Sequence, residues 1–347
     1  MQKIFIKIML LILVNVAISQ EWTRIIDLRG TWKFSIGDNY VWNRADFNEG
    51  HWEDIFVPSP WEDEGYPGYD GYAWYRKKFT LEPEHKSKTL YINLGHIDDV
   101  DEVYLNGKLI GFTGSFPPNY FTAYHLERIY RLPQEYLNYN DENILSIRVF
   151  DAELAGGIVR GKIGIYERKD EVFIDIPLEG TWKFAQGDEV RWKEYDYNDY
   201  NWKNIMVPGQ WEIQGYKDYD GFAWYRKKVF IPSKYRGQKL MLILGKIDDL
   251  DESYINGKLV GKTGRIYDDT FWIEVSNEWL EIRAYEIEPD NIYFGQENLI
   301  AVRVYDGLVQ GGIYDGPVGI TSYDNYRKWS RTDKKRKTNF FEKLFKF

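Results

Sequence analysis

Residues 94–114 read LGHIDDVDEVYLNGKLIGFTG, and residues 244–264 read LGKIDDLDESYINGKLVGKTG. Fifteen of these 21 positions are identical, at a constant separation of 150. Val103-Tyr104-Leu105 precedes Asn106-Gly107, and Lys108-Leu109-Ile110 follows it. Asn-Gly between two strand-like runs is the strongest short-range signal for a β-hairpin. The same hairpin is written again at Asn256-Gly257. The decisive stretch is therefore β in character and duplicated.

The duplication extends in both directions. Residues 61–79 (WEDEGYPGYDGYAWYRKKF) and 211–229 (WEIQGYKDYDGFAWYRKKV) agree at 13 of 19 positions. Further on the separation becomes 155, where Arg148-Val149-Phe150-Asp151 matches Arg303-Val304-Tyr305-Asp306. Five extra residues thus fall in the second copy, between about 265 and 297. A period of this size is a whole domain, so the chain is a tandem duplication rather than a solenoid. Within each copy the apolar period is two: Leu145, Ile147 and Val149 share one face, as do Ile300, Val302 and Val304. Short strands punctuated by Gly, Asp, Asn and Pro, with few helical patterns, predict an all-β chain of two tandem β-sandwich (jelly-roll) domains. The expected boundaries are 20–170 and 171–326.

Composition narrows the chemistry. The chain has 347 residues, 18% of them aromatic, with 14 Trp, 28 Tyr and 19 Phe. It has no Cys, which excludes disulfides, thiolate nucleophiles and Cys-ligated metals. Its four His (51, 85, 96 and 125) all lie in the first copy, so a function shared by both copies does not rest on His. Formal net charge is −9, although residues 327–347 carry nine Lys/Arg against two carboxylates. The acidic body disfavours nucleic acid. The basic tail, 327–347, ends in NFFEKLFKF; it reads as a solvated end or as a short amphipathic helix touching a membrane surface or partner. Residues 1–19 read as an export signal, with Lys3 and Lys7 before an apolar run and Ala17-Ile18-Ser19 at the expected cleavage point. A periplasmic, cell-surface or secreted location follows as an expectation.

The string Gly30-Thr31-Trp32-Lys33-Phe34, Trp52, Val57-Pro58, Trp61-Glu62, Gly65-Tyr66 and Trp74-Tyr75-Arg76-Lys77 resembles the N-terminal sugar-binding domain of glycoside hydrolase family 2. The stretch Leu94-Gly95, Ile97-Asp98-Asp99, Asp101, Asn106-Gly107, Gly111, Asn143, Arg148-Val149, Asp151 and Gly156-Gly157 is similar to the jelly roll attached to sialate O-acetylesterases. The second copy matches too, so the resemblance covers roughly 26–166 and 176–321. It implies a galactose-binding-like sandwich in each copy. In those enzymes catalysis resides elsewhere, in a barrel of about 250 residues or a separate α/β domain, for which this chain has no matching stretch. Gly37-Asp38-Asn39 and Gly187-Asp188-Glu189 stand where the esterases' Gly-Asp-Ser would be sought, and read as turns.

Candidate ligand contacts follow from chemistry. Sugars lay apolar C–H faces on aromatic rings, while carboxylates and Arg bond their hydroxyls. Trp61, Glu62, Tyr66, Tyr69, Asp70, Trp74 and Arg76 form one such set; Trp211, Glu212, Tyr216, Tyr219, Asp220, Trp224 and Arg226 form its repeat. The Trp residues serve equally well as core, as Trp32 and Trp182 do. Glu62 and Asp70 equally well order a loop through backbone amides or pair with Arg76, and a glycosidase-like role needs two carboxyls about 5–9.5 Å apart. Asp98, Asp99 and Asp101, echoed by Asp248, Asp249 and Asp251, are candidate calcium ligands; salt bridges to Arg148 and Arg303 are the competing account. The divergent segments, Ser115–Arg131 against Arg265–Ile287, are where different ligands are expected.

The expectation is an exported, non-catalytic carbohydrate-binding protein, or an accessory of a glycan-degrading system. Its partners would be an oligo- or polysaccharide and a carbohydrate-active enzyme; no cofactor is expected beyond the candidate calcium. A hydrolase acting on O-glycosyl or O-acetyl sugar bonds, and a structural protein-interaction module, are the alternatives.

Overall fold

The computed structural model describes residues 22–86, 88–169, 171–265, 278–308 and 310–332. The expected export signal and residues 333–347 of the basic tail lie outside them.

The first copy contains ten strands: β1 (Trp22–Asp27), β2 (Gly30–Ile36), β3 (Glu53–Val57), β4 (Gly71–Thr80), β5 (Leu90–Asp98), β6 (Val100–Leu105), β7 (Lys108–Thr113), β8 (Glu127–Arg131), β9 (Glu142–Asp151) and β10 (Gly157–Arg168). The second repeats them as β11 (Ile176–Pro177), β12 (Gly180–Gln186), β13 (Lys203–Val207), β14 (Gly221–Ile231), β15 (Leu240–Asp248), β16 (Leu250–Ile255), β17 (Lys258–Thr263), β18 (Ile282–Ile287), β19 (Gln296–Asp306) and β20 (Gly312–Ser322). Each copy is a four-stranded sheet facing a six-stranded one. The orders are β1-β10-β5-β8 and β3-β2-β4-β9-β6-β7, then β11-β20-β15-β18 and β13-β12-β14-β19-β16-β17. The two-sandwich reading holds.

Period two does the sorting. Leu145, Ile147 and Val149 of β9 meet Ile92, Leu94 and Ile163 of the opposite sheet in one buried core. Ile300, Val302 and Val304 do the same in the second copy. Trp32 and Trp182 are core, each donating its indole N–H to a carbonyl, of Leu28 and of Leu178, at 2.7 Å. The Asn106-Gly107 turn joins β6 to β7 with φ of 50° and 79°, the left-handed pair that a two-residue hairpin requires. Outside the six-stranded sheet lies a second apolar layer, where Trp52, Trp74 and Tyr104 pack under the 39–52 loop.

Polar groups tie the sandwiches together. Arg131 of β8 meets Glu179, just before β12, at 3.0 Å. Tyr91 donates its hydroxyl to Glu171 of the connecting segment at 2.5 Å. Residues 323–332 form a helix, so the first part of the basic segment is folded rather than frayed. Tyr326 and Trp329 pack there against Val172, Ile174, Met241 and Ile243.

Candidate functional site

The two copies bring the same acidic constellation to the same end of each sandwich. Strand pairing is the cause. Gly71 of β4 faces Asp151 of β9, and Phe150 faces Val100 of β6, which follows Asp98-Asp99. Loop 61–70 is stitched over this end. It starts as a 3-10 turn, Trp61–Glu64, that closes on Gly65 at φ 110°. The Trp61 amide donates to the Gly156 carbonyl at 3.1 Å, and its indole N–H to the Tyr69 carbonyl at 3.0 Å. The Glu62 carboxylate accepts the Gly156 N–H at 3.1 Å, and Glu212 accepts that of Gly311 at 2.9 Å. The loop-ordering role foreseen for this glutamate is what the geometry shows.

Several sequence-based assignments are corrected by burial. Trp61, Trp74, Trp211 and Trp224 are 0% exposed. Trp61 and Trp211 fill the two cores, and Trp74 and Trp224 fill the outer apolar layers. No sugar face reaches a ring enclosed on all sides. Arg76 and Arg226 are also buried and serve the loops outside the six-stranded sheets. Arg76 donates to the carbonyls of Trp42 (2.6 Å) and Arg44 (3.1 Å) and pairs with Glu49, not Glu62. Arg226 pairs with Asp199 at 2.8 Å and donates to the carbonyls of Trp192, Glu194 and Tyr197. Tyr66, Tyr69, Tyr216 and Tyr219 are partly buried against the cores. Of the two expected contact sets, the groups that open to solvent are chiefly Glu62, Asp70 and Asp220, while Glu212 is nearly enclosed.

The expected metal sets are corrected in one member each. Asp101 is fully buried and bound by Arg128 (2.7 Å) and the Tyr130 hydroxyl (2.6 Å). Asp251 is bound likewise by Arg283 (3.0 Å), Ser253 and Tyr285. Neither has a place for a cation. Arg148 and Arg303, the expected partners, do pair with the acidic run, but through its last members, Glu102 (3.3 Å) and Glu252 (3.1 Å), and they bind Asp38 and Asp188 besides. What does converge is Asp98, Asp99 and Asp151, and again Asp248, Asp249 and Asp306, with one carboxylate oxygen from each within 4.8 Å of the others. The Asp98-Asp99 and Asp248-Asp249 peptides are cis. Asp151 and Asp306 are the residues that the sequence reading missed. Their signal was present: Asp151 continues the inward face of Leu145, Ile147 and Val149, so the alternation itself aims a carboxylate between the sheets.

Electrostatics mark this end. Burial, aided by the charges of Asp99, Asp98, Glu62 and Asp70, pushes the Asp151 carboxyl up to about 8. Burial also raises Asp306 to about 6 and Glu212 to about 7. Asp98 and Asp248 are raised by burial and by the adjacent Asp. For Asp99 burial acts upward, but bonds from Thr122, Tyr120 and the Ala152 N–H outweigh it and hold the group below its ordinary range. A raised carboxyl beside an ionised one is the pattern of acid–base pairs. Asp151 is 0% exposed, however, and a substrate has no path to it. The accessible features of the first mouth are Glu62, Asp70, Asp98 and the Tyr120 ring, which is 38% exposed and set edge-on against Phe150 at 5.6 Å. Tyr120 belongs to the loop that diverges between the copies. Its counterpart, within 266–277, lies outside the described residues.

No family model matches the chain. It is 26% identical over 136 residues to a beta-glucuronidase of Formosa agariphila, spanning 35% of this chain and 12% of that protein. It is 26% identical over 155 residues to a beta-galactosidase of Bacteroides ovatus, spanning 40% of this chain and 17% of that one. A solved beta-glucuronidase of glycoside hydrolase family 2 superposes on 85% of this chain and 28% of its own, with a TM-score of 0.37 and 15% identity. The chain thus spans about a sixth or less of those two curated relatives. The homologues are glycoside hydrolase family 2 proteins, consistent with sandwiches of the sugar-binding kind that accompany such enzymes.

Proposed function

We propose that the chain is an exported, non-catalytic carbohydrate-binding protein that serves a glycan-degrading system. The observation that carries this reading is the paired mouth: the same loop, carrying a glutamate and an exposed aspartate (Glu62 and Asp70, Glu212 and Asp220), is rebuilt at the same end of both sandwiches. In the first copy Tyr120 adds the exposed ring on which a sugar face lies. Glu62, Asp70 and Asp98 supply acceptors for its hydroxyls. The relatives' names, beta-glucuronidase and beta-galactosidase, support a glycan as the ligand class. Burial of Asp151 and Asp306 supports binding over hydrolysis.

The test is a glycan array followed by calorimetry on the full chain. Saturable binding that weakens at least tenfold in Asp70→Asn and Tyr120→Ala, both surface changes that leave the fold intact, supports the reading. Turnover of aryl-glycosides or aryl-acetates by the purified chain would overturn its non-catalytic half. The Trp61→Ala variant is no test, because it removes core.

A further inference from the structure

We propose that each sandwich holds a calcium ion in its carboxylate trio, Asp98, Asp99 and Asp151 in the first and Asp248, Asp249 and Asp306 in the second. The starting observation is an imbalance. Asp151 is 0% exposed, yet neither of its carboxylate oxygens receives a hydrogen bond among the described residues. Asp306 is equally buried and leaves Oδ2 without a donor. A buried carboxylate without a partner costs several kcal/mol, and folded chains rarely keep one. This chain shows how it satisfies such a group when no ion is involved: Asp101, in the neighbouring strand, receives an arginine and a tyrosine.

Among the described residues, no cationic side chain pairs with Asp151. The charged groups around it are Asp99, Asp98, Glu62 and Asp70, every one of the same sign. Around Asp306 stand Asp249 and Asp220, again of the same sign. A cation from solution would supply the missing charge. The trio presents oxygen only, which selects a hard ion. Calcium accepts irregular sets of carboxylates, carbonyls and water, whereas magnesium demands a near-ideal octahedron and keeps much of its water.

Topology gives the ion a task. Asp98 ends β5 of the four-stranded sheet, and Asp151 ends β9 of the six-stranded sheet. One ion at this point clips the two sheets together directly beneath loop 61–70. Asp99 is already steadied by the Thr122 hydroxyl and the Ala152 N–H at 3.0 Å, and Asp249 by the Gly307 N–H at 3.1 Å. The second ligand is therefore in place before the ion arrives.

The probe is calcium chloride alone, titrated calorimetrically into the chelator-treated full chain at pH 7.5, with no glycan present. Two saturable sites per chain and a rise in Tm that EDTA reverses are expected. Asp151→Asn and Asp306→Asn should each delete one site, and the double variant both. Should those variants fail to fold, Asp98→Asn and Asp248→Asn change half-buried positions and should each weaken one site at least tenfold. The absence of saturable calcium heat together with an unchanged Tm overturns the proposal. So does binding of magnesium in preference to calcium, or unaltered calcium binding in the folded variants. Because no sugar enters the measurement, its failure is separate from failure of the carbohydrate reading.

Discussion

A methyl group on Gly156 would fall 2.1 Å from Cζ2 of Trp61, and one on Gly311 would fall 2.0 Å from the same atom of Trp211. The indole is thus seated against bare backbone, at the hinge between the acidic mouth and the core. Gly156→Ala should destabilise the first sandwich by about 1–3 kcal/mol, since the ring has no free volume into which to retreat. Trp61→Ala should cost about 3–5 kcal/mol by leaving a cavity. Urea unfolding of the full chain, followed by tryptophan fluorescence, checks both; in each case the transition of the second sandwich should stay in place.

The Arg128–Asp101 pair, with both side chains fully buried, predicts an asymmetric response. Asp101→Asn strands a guanidinium in the interior and should cost about 3–5 kcal/mol. Replacing both partners together, Asp101→Leu with Arg128→Met, removes the stranded charge but also bares the carbonyls of Ala123, Leu126, Ile97 and Asp99 to which Arg128 donates, so it should cost less than the sum of the two single losses. A double-mutant cycle in thermal unfolding measures the coupling, and strictly additive losses would contradict it.

Glu171 predicts a pH dependence. It is buried where the sandwiches meet, and burial raises its carboxyl to about 7 from 4.5, although Arg168 and Arg131 draw it back down. Glu179 and the Tyr91 hydroxyl face it from the remaining sides. A carboxyl with a raised folded value binds its proton more tightly in the native state. Its contribution is therefore largest below about pH 4.5 and is lost as pH rises through about 7. Glu171→Gln should flatten that part of the Tm–pH curve. An unchanged slope between about pH 5 and 8 would assign the dependence to other groups.

The Arg131–Glu179 contact predicts how the sandwiches move relative to one another. Both side chains are 12% exposed, so removing one partner removes more than a surface ion pair would. Glu179→Ala should lower the free energy of separation by about 2 kcal/mol, which makes protease nicking between the sandwiches roughly 30-fold faster. Timed limited proteolysis with mass detection reads this directly.

Most of the scaffold was legible in the sequence. The Asn106-Gly107 hairpin, the alternation of Leu145, Ile147 and Val149 and the exact repeat of both depend on neighbours in the chain, and short-range spacing reports them faithfully. The Trp assignments were less legible. Trp61 and Trp74 lie on opposite sides of the six-stranded sheet, one in the core and one under the 39–52 loop, and composition alone does not separate these sides from a ligand cleft. Asp151 was missed because its partners, Asp98 and Asp99, are about fifty residues away and are brought to it only by strand pairing. Its own alternation pointed inward, where an aspartate is out of place, and that contradiction was the available clue. Arg128 illustrates the opposite case: its pairing with Asp101 spans β8 and β6 in different sheets, and nothing local announces it.

The contact between Arg131 and Glu179 has one more consequence. With each mouth built into its own sandwich, this contact, together with Tyr91–Glu171, restricts the span between the mouths. A long polymer able to bridge that span pays the entropic cost of capture once, and a short oligomer gains nothing from the second mouth. On the proposed carbohydrate reading, the duplicated chain is in this sense a gauge of length: with both mouths taking the same sugar, it would tell an intact polysaccharide from its fragments.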